Sequence, residues 1–160
     1  MNVSNATREA LAEFIYEEAR LLDEKRLDQW QDLFTSDGVY WIPLGCDQQD
    51  PVDHASITYE DRLLLKLRID RLQQPRAYSQ QPASRCLHVL QLPRLEGADG
   101  RMYRMRTPMI YCEARGDEQW TYAAVARHEL VPHEDTFRIR LKRVDLLNGD
   151  APLPAIQLFP

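Results

Sequence analysis

Leu11-Ala12-Glu13-Phe14-Ile15-Tyr16-Glu17-Glu18-Ala19-Arg20-Leu21-Leu22, then Leu27-Asp28-Gln29-Trp30-Gln31-Asp32-Leu33-Phe34, then Val39-Tyr40-Trp41-Ile42-Pro43 form the stretch that decides the fold of this chain. Leu11, Phe14, Ile15, Ala19 and Leu22 recur at three- and four-residue steps, which lines them up on one stripe of an amphipathic helix. Leu27, Trp30, Leu33 and Phe34 repeat that spacing and predict a second, short helix. The polar turn Asp23-Glu24-Lys25-Arg26 lets the two share one apolar surface. Thr35-Ser36-Asp37-Gly38 is expected to stop the second helix. Val39 to Ile42 reads as a strand closed by Pro43, which has no N–H to donate.

Working outward, Gly45 to Ala55 is polar, with Asp47, Asp50 and Asp53 among glutamines, and reads as an exposed loop. It lacks the glycine and terminal glutamate spacing of a calcium loop. Thr58 with Asp61 forms a capping-box pattern that opens a third helix through Leu63, Leu64, Leu67, Ile69 and Leu72, ended by Pro75. Arg62, Lys66, Arg68 and Arg71 give this helix a basic border.

From Arg85 onward the helical spacing gives way to alternation. Tyr103, Met105, Thr107, Met109 and Tyr111 share one face, with Arg104 and Arg106 on the other. Gly97-Ala98-Asp99-Gly100 and Gly116-Asp117-Glu118 mark reversals, as does Pro132-His133-Glu134-Asp135 before a strand from Thr136 to Leu147. Four long strands in succession are expected. The simplest register of the last pair sets Leu130 against Phe137, Glu129 against Arg138, and Arg127 against Arg140. Phe137, Ile139 and Leu141 fall on odd positions but Val144 and Leu146 on even ones, as one extra residue in the strand produces. Early helices and a late, curved, mostly antiparallel sheet make an α+β fold with three helices on one face and a cone-shaped interior.

Composition sets outer limits. At 160 residues, with 44% hydrophobic and 28% charged residues, the chain is expected to be one domain over 1–160 with a single substantial core. A net charge of −5 argues against a nucleic-acid surface. No apolar run reaches the roughly 20 residues of a membrane span, and the N-terminus lacks a secretory pattern, so a cytoplasmic protein is expected. Cys46, Cys86 and Cys112 are odd in number and widely spaced, which argues against a disulfide framework.

Catalytic motifs fail one by one. Cys86-Leu87-His88 is half of a Rieske iron–sulfur pattern, but Cys112 is not followed by the second histidine. His128-Glu129 and His133 resemble H-E-x-x-H with the wrong spacing and a proline in the required place. His128 alternates with Ala126 and Leu130 and reads as a structural histidine. There is no phosphate loop and no G-x-S-x-G. An acid–base or binding site from Asp37, Tyr40 and His88 inside the cone has no motif behind it.

The residues Phe14 to Asp23, with Trp30, Phe34, Asp37 and Tyr40-Trp41-Ile42-Pro43, resemble the N-terminal half of the small (beta) subunit of bacterial aromatic-ring-hydroxylating dioxygenases. Asp61-Arg62, Arg68, Arg71-Leu72, Pro82-Ala83-Ser84-Arg85 with His88, Leu141 to Asn148, and Ile156-Gln157-Leu158-Phe159 follow the same family in order. The resemblance implies the cone fold of nuclear transport factor 2 and assembly with a large alpha subunit, three of each chain around a homotrimer core. It also implies that the Rieske 2Fe-2S cluster and mononuclear iron belong to the alpha subunit, leaving this chain a structural partner with no cofactor of its own. The whole complex would add both atoms of O2 to an aromatic ring, with electrons from NAD(P)H. Arg68, Arg71, Arg85, Arg127 and Arg140 are the candidate subunit contacts, the last two because like charges set opposite each other call for an acidic partner. The alternative is a stand-alone dehydratase- or isomerase-like enzyme, or a small-molecule binder, using Asp37, Tyr40 and His88.

Overall fold

The computed structural model describes residues 2–52, 54–75 and 82–160. In chain order the elements are α1 (Asn5–Asp23), α2 (Leu27–Gln31), β1 (Phe34–Pro43), β2 (Ser56–Asp61), α3 (Arg62–Gln73), β3 (Arg85–Leu90), β4 (Arg94–Ala98), β5 (Tyr103–Arg115), β6 (Glu118–His133) and β7 (Thr136–Leu146). One seven-stranded sheet runs β2-β1-β7-β6-β5-β3, with β4 pairing β5 beside β3. All pairs are antiparallel except β1 with β7, so the sheet is mixed as expected. In place of four long strands after Arg85 there are three, β5 to β7, preceded by the short β3 and β4. Asp53 of the acidic loop lies outside the described residues.

Helix α1 starts where the Ser4 hydroxyl accepts the Thr7 N–H at 3.1 Å. It ends where Lys25 turns left-handed at φ 56° and the Lys25 and Arg26 N–H groups return to the carbonyls of Leu22 and Leu21. Its buried face holds Leu11, Phe14, Ile15, Ala19 and Leu22, as the spacing predicts, and also Glu18. Helix α2 stops at Gln31, earlier than its apolar spacing predicts, and Phe34 already belongs to β1. Residues Thr35 to Gly38 do not end a helix. They are extra residues of β1 between the pairings Phe34↔Ile139 and Val39↔Leu141. Gly38 permits this close approach, since a Cβ there would lie 2.8 Å from the Ile139 carbonyl oxygen.

Asp61 itself caps α3, accepting the Leu64 N–H at 2.9 Å, while Thr58 belongs to β2. Because strand runs straight into helix, the phase of α3 is fixed at Arg62, and Leu65 and Ile69 turn inward. Leu63, Leu64 and Leu67, expected in the buried stripe, are 66%, 46% and 54% exposed. The last hairpin also departs from its simplest register. Glu134, at φ 52°, and Asp135 make a two-residue turn, so His133 faces Thr136, Val131 faces Arg138 and Leu130 faces Ile139.

The extra residue in β7 is Arg140, which has no partner between Leu130↔Ile139 and Glu129↔Leu141. It comes before Leu141, not after it, so Lys142 joins Val144 and Leu146 on the buried side. Arg127 consequently faces Arg143, not Arg140. Helix α1 packs on β3, β4 and β7, and α3 packs on β1 and β2. Trp30, Phe34, Tyr40 and Phe159 fill the interior as a set of edge-on and tilted rings, with centroids 4.7–5.7 Å apart.

Candidate functional site

Two groups of buried ionisable side chains lie under the helices. In the first, the Glu18 carboxylate accepts from Lys142 Nζ at 2.7 Å, Trp30 Nε1 at 2.9 Å and His128 Nε2 at 3.3 Å. Glu18, His128 and Lys142 are each 2% exposed. Burial would raise the Glu18 pKa, but the Lys142 ammonium and the His128 ring outweigh it and hold the carboxyl well below the usual range. Each charge is compensated inside the group, so it works as a polar clamp between α1, α2, β6 and β7. The sequence carried a signal for it: Glu18 lies on the apolar stripe of α1, and Lys142 is in phase with Val144 and Leu146.

The second group joins the end of α1 to β3. Both oxygens of Asp23 accept the His88 backbone N–H, at 3.1 and 3.2 Å, and His88 Nδ1 lies 2.7 Å from Asp23. Cys86 lies beside them, its thiol 3.9 Å from Asp23 and pushed up to about 12 by burial and the Asp23 charge. This Asp, Cys, His set does not supply the two cysteines and two histidines of a Rieske centre, and its thiol holds its proton at neutral pH. Behind His88, Tyr111 donates to Glu113 at 2.7 Å, and Glu113 accepts the backbone N–H groups of Gln157 and Leu158 at 2.9 and 2.8 Å. Burial and the Glu113 charge push the Tyr111 pKa far up.

Asp37, Tyr40 and His88 do not form one site. Asp37 is exposed and accepts from Thr35 at 2.7 Å, whereas His88 is bound to Asp23. Tyr40 is buried and donates to the Pro160 carbonyl at 2.9 Å. The space that would take a ligand over Tyr40 is occupied by Phe159, so the stand-alone enzyme or binder built on these three residues is not favoured.

The five arginines sort by their partners. Arg68 pairs with Glu60, donates to the Leu158 carbonyl at 2.8 Å and lies 4.1 Å over the Phe159 ring. Arg127 bridges Glu96 at 3.0 Å and Asp145 at 3.2 Å, and Arg143 holds the other Asp145 oxygen at 2.7 Å. The like charges of Arg127 and Arg143 are thus neutralised within the chain. Arg71, Arg85 and Arg140 are exposed, and among the described residues none has an acidic partner within ion-pair distance. Cys46, Cys86 and Cys112 are all free thiols.

A curved sheet with three helices on it, over an interior filled by aromatic rings and ion clusters, gives the chain the nuclear transport factor 2-like fold. A family model described as "Ring hydroxylating beta subunit" matches residues 17–150, and the chain belongs to this family of dioxygenase beta subunits, whose partner is an alpha subunit. The small subunit of anthranilate 1,2-dioxygenase from Acinetobacter baylyi is 35% identical over 147 residues, covering 87% of this chain and 88% of that protein. Benzoate 1,2-dioxygenase subunit beta from the same organism is 26% identical over 145 residues, covering 88% and 86%. The crystal structure of the beta subunit of benzoate 1,2-dioxygenase from Burkholderia mallei superposes with a TM-score of 0.75 at 28% identity, covering 99% of both chains. No helix among the described residues is long and apolar enough to cross a membrane.

Proposed function

We propose that this chain, as one domain over 1–160, is the non-catalytic structural subunit of a cytoplasmic, multicomponent aromatic-ring-hydroxylating dioxygenase. It assembles with the large subunit as three of each chain around a homotrimer core. The large subunit holds the Rieske 2Fe-2S cluster and the mononuclear iron, and NAD(P)H supplies the electrons. One observation carries this role: the interior is packed with the chain's own rings, and the buried carboxylates Glu18 and Glu113 are fully engaged by lysine, indole, imidazole, tyrosine and backbone donors. Neither carboxylate is thereby free to act as a general base on a bound substrate. The substrate of the assembly is an aromatic carboxylic acid, a class supported by the relatives that act on anthranilate and benzoate.

Of the candidate contact residues, Arg85 and Arg140 have exposed charge to offer a partner, whereas Arg68 and Arg127 spend theirs inside the chain. Co-expression with the large-subunit gene of the same operon tests the role by size-exclusion mass and iron content. An iron-containing complex of both chains, beside an iron-free small chain expressed alone, is expected, with Arg85→Glu and Arg140→Glu together weakening the complex. Failure of the two chains to co-purify refutes it.

A further inference from the structure

We propose that the cleft between α3, the β1–β2 hairpin and the segment 149–158 binds a small carboxylate with an apolar body, an aromatic monocarboxylic acid. The cleft has a volume of about 520 Å³, within the range of small-molecule sites, roughly 300–1,000 Å³. β2 passes directly into α3 at Asp61, so that hairpin and helix supply two of its walls, and the segment 149–158 supplies the third. Ile42, Leu72, Leu153 and Ile156 give it apolar walls.

Its charge is what sets it apart. In a chain of net charge −5, this cleft is lined by two guanidinium groups, Arg68 and Arg71, and by no carboxylate among the described residues. The Arg68 charge is already taken by Glu60, the Leu158 carbonyl and the Phe159 ring. Arg71, one turn further along the same helix, has no acidic partner, and the Thr58 hydroxyl in the same wall no hydrogen bond, among the described residues. A planar guanidinium with free donors accepts a carboxylate in a two-point contact, and a hydroxyl alongside adds a third donor. A phosphate would meet only one free guanidinium and apolar walls. A neutral hydrocarbon would leave Arg71 unused. The cleft itself asks for an apolar acid; that the acid be aromatic rests on the proposed function.

The test titrates the full chain with benzoate and with benzamide, its uncharged isostere, by calorimetry and saturation-transfer NMR, for wild type, Arg71→Gln and, as a surface control, Arg85→Gln. Saturable benzoate binding is expected, with benzamide weaker. Arg71→Gln should weaken benzoate about ten- to a hundred-fold, the range for one charge-assisted contact, and leave benzamide unchanged. Arg85→Gln should leave both as in wild type. Absence of saturable binding up to about 10 mM, equal affinity for acid and amide, or an Arg71→Gln chain that binds benzoate normally each overturns the site. Size-exclusion of the co-expressed complex is read in parallel. Loss of assembly in Arg71→Gln would assign this arginine to the subunit interface and also overturn the site. Normal assembly without benzoate binding removes the site and leaves the subunit role standing, whereas benzoate binding by a chain that never assembles removes the role and leaves the site.

Discussion

Replacing Glu18 by Gln should be among the most damaging conservative changes in this chain. The side chain keeps its shape and an oxygen for the Trp30 N–H, but Lys142, 2% exposed and 2.7 Å away, loses its counter-charge. What remains to an ammonium there is that one neutral amide oxygen, shared with Trp30, and the faces of Trp30 and Tyr40, at 5.9 and 6.0 Å. Removing one partner of a buried pair costs about 3–5 kcal/mol, a large share of a total stability of roughly 5–15 kcal/mol. With a urea m-value of about 2 kcal/mol/M, the unfolding midpoint, followed by Trp fluorescence at pH 7 and fixed protein concentration, falls by about 1.5–2.5 M. The double variant Glu18→Gln with Lys142→Met removes both charges and should recover most of that loss, a coupling of about 2 kcal/mol or more. The sign with pH is also set. Because the folded pKa of Glu18 lies below its ordinary value of 4.5, its contribution is fully present above that value and is lost as pH falls toward the folded pKa. Glu18→Gln should therefore flatten the acid limb of the stability curve. A loss under about 1 kcal/mol, or a double variant equal to the sum of the singles, would refute a buried charge clamp.

Two further outcomes follow from the packing. Phe159→Ala empties the space among Trp30, Tyr40 and Arg68 and should cost about 3–5 kcal/mol by the same urea assay; a cost below about 1 kcal/mol would mean that the segment 157–160 does not close the interior. Cys46 is exposed, whereas the Cys86 thiol is half-buried and raised to about 12, so iodoacetamide at neutral pH should modify Cys46 well before Cys86, as read by peptide mass spectrometry; equal rates would contradict the Asp23–Cys86 geometry.

Much of the fold was legible because periodicity is local. The stripe of α1, the alternation of β5 and the turns at Gly116 and Glu134 all depend on residues within a few positions of one another. The errors fall where distant segments decide. Phe34 has helical spacing but is drawn into β1 by pairing with Ile139, and α3 takes its phase from the strand that feeds it. The two-residue turn at Glu134-Asp135 moved the β6–β7 register by two positions next to the turn, and the extra residue Arg140 added a third beyond it.

The sequence by itself determined the early helices, the later run of strands, the one-residue slip in β7 and the family resemblance, since each is written in spacing along the chain, but it hid β2 under the helical pattern that opens at Thr58. Only the tertiary structure decided that the slip falls at Arg140 and so turns Lys142 inward onto Glu18, and that Asp145 relieves Arg127 and Arg143. It also decided that Phe159 fills the interior where the alternative reading would set Asp37, Tyr40 and His88 together. Each of these depends on groups brought together from opposite ends of the chain, where a buried charge must find its partner and a cavity its filling, and no local pattern encodes that choice.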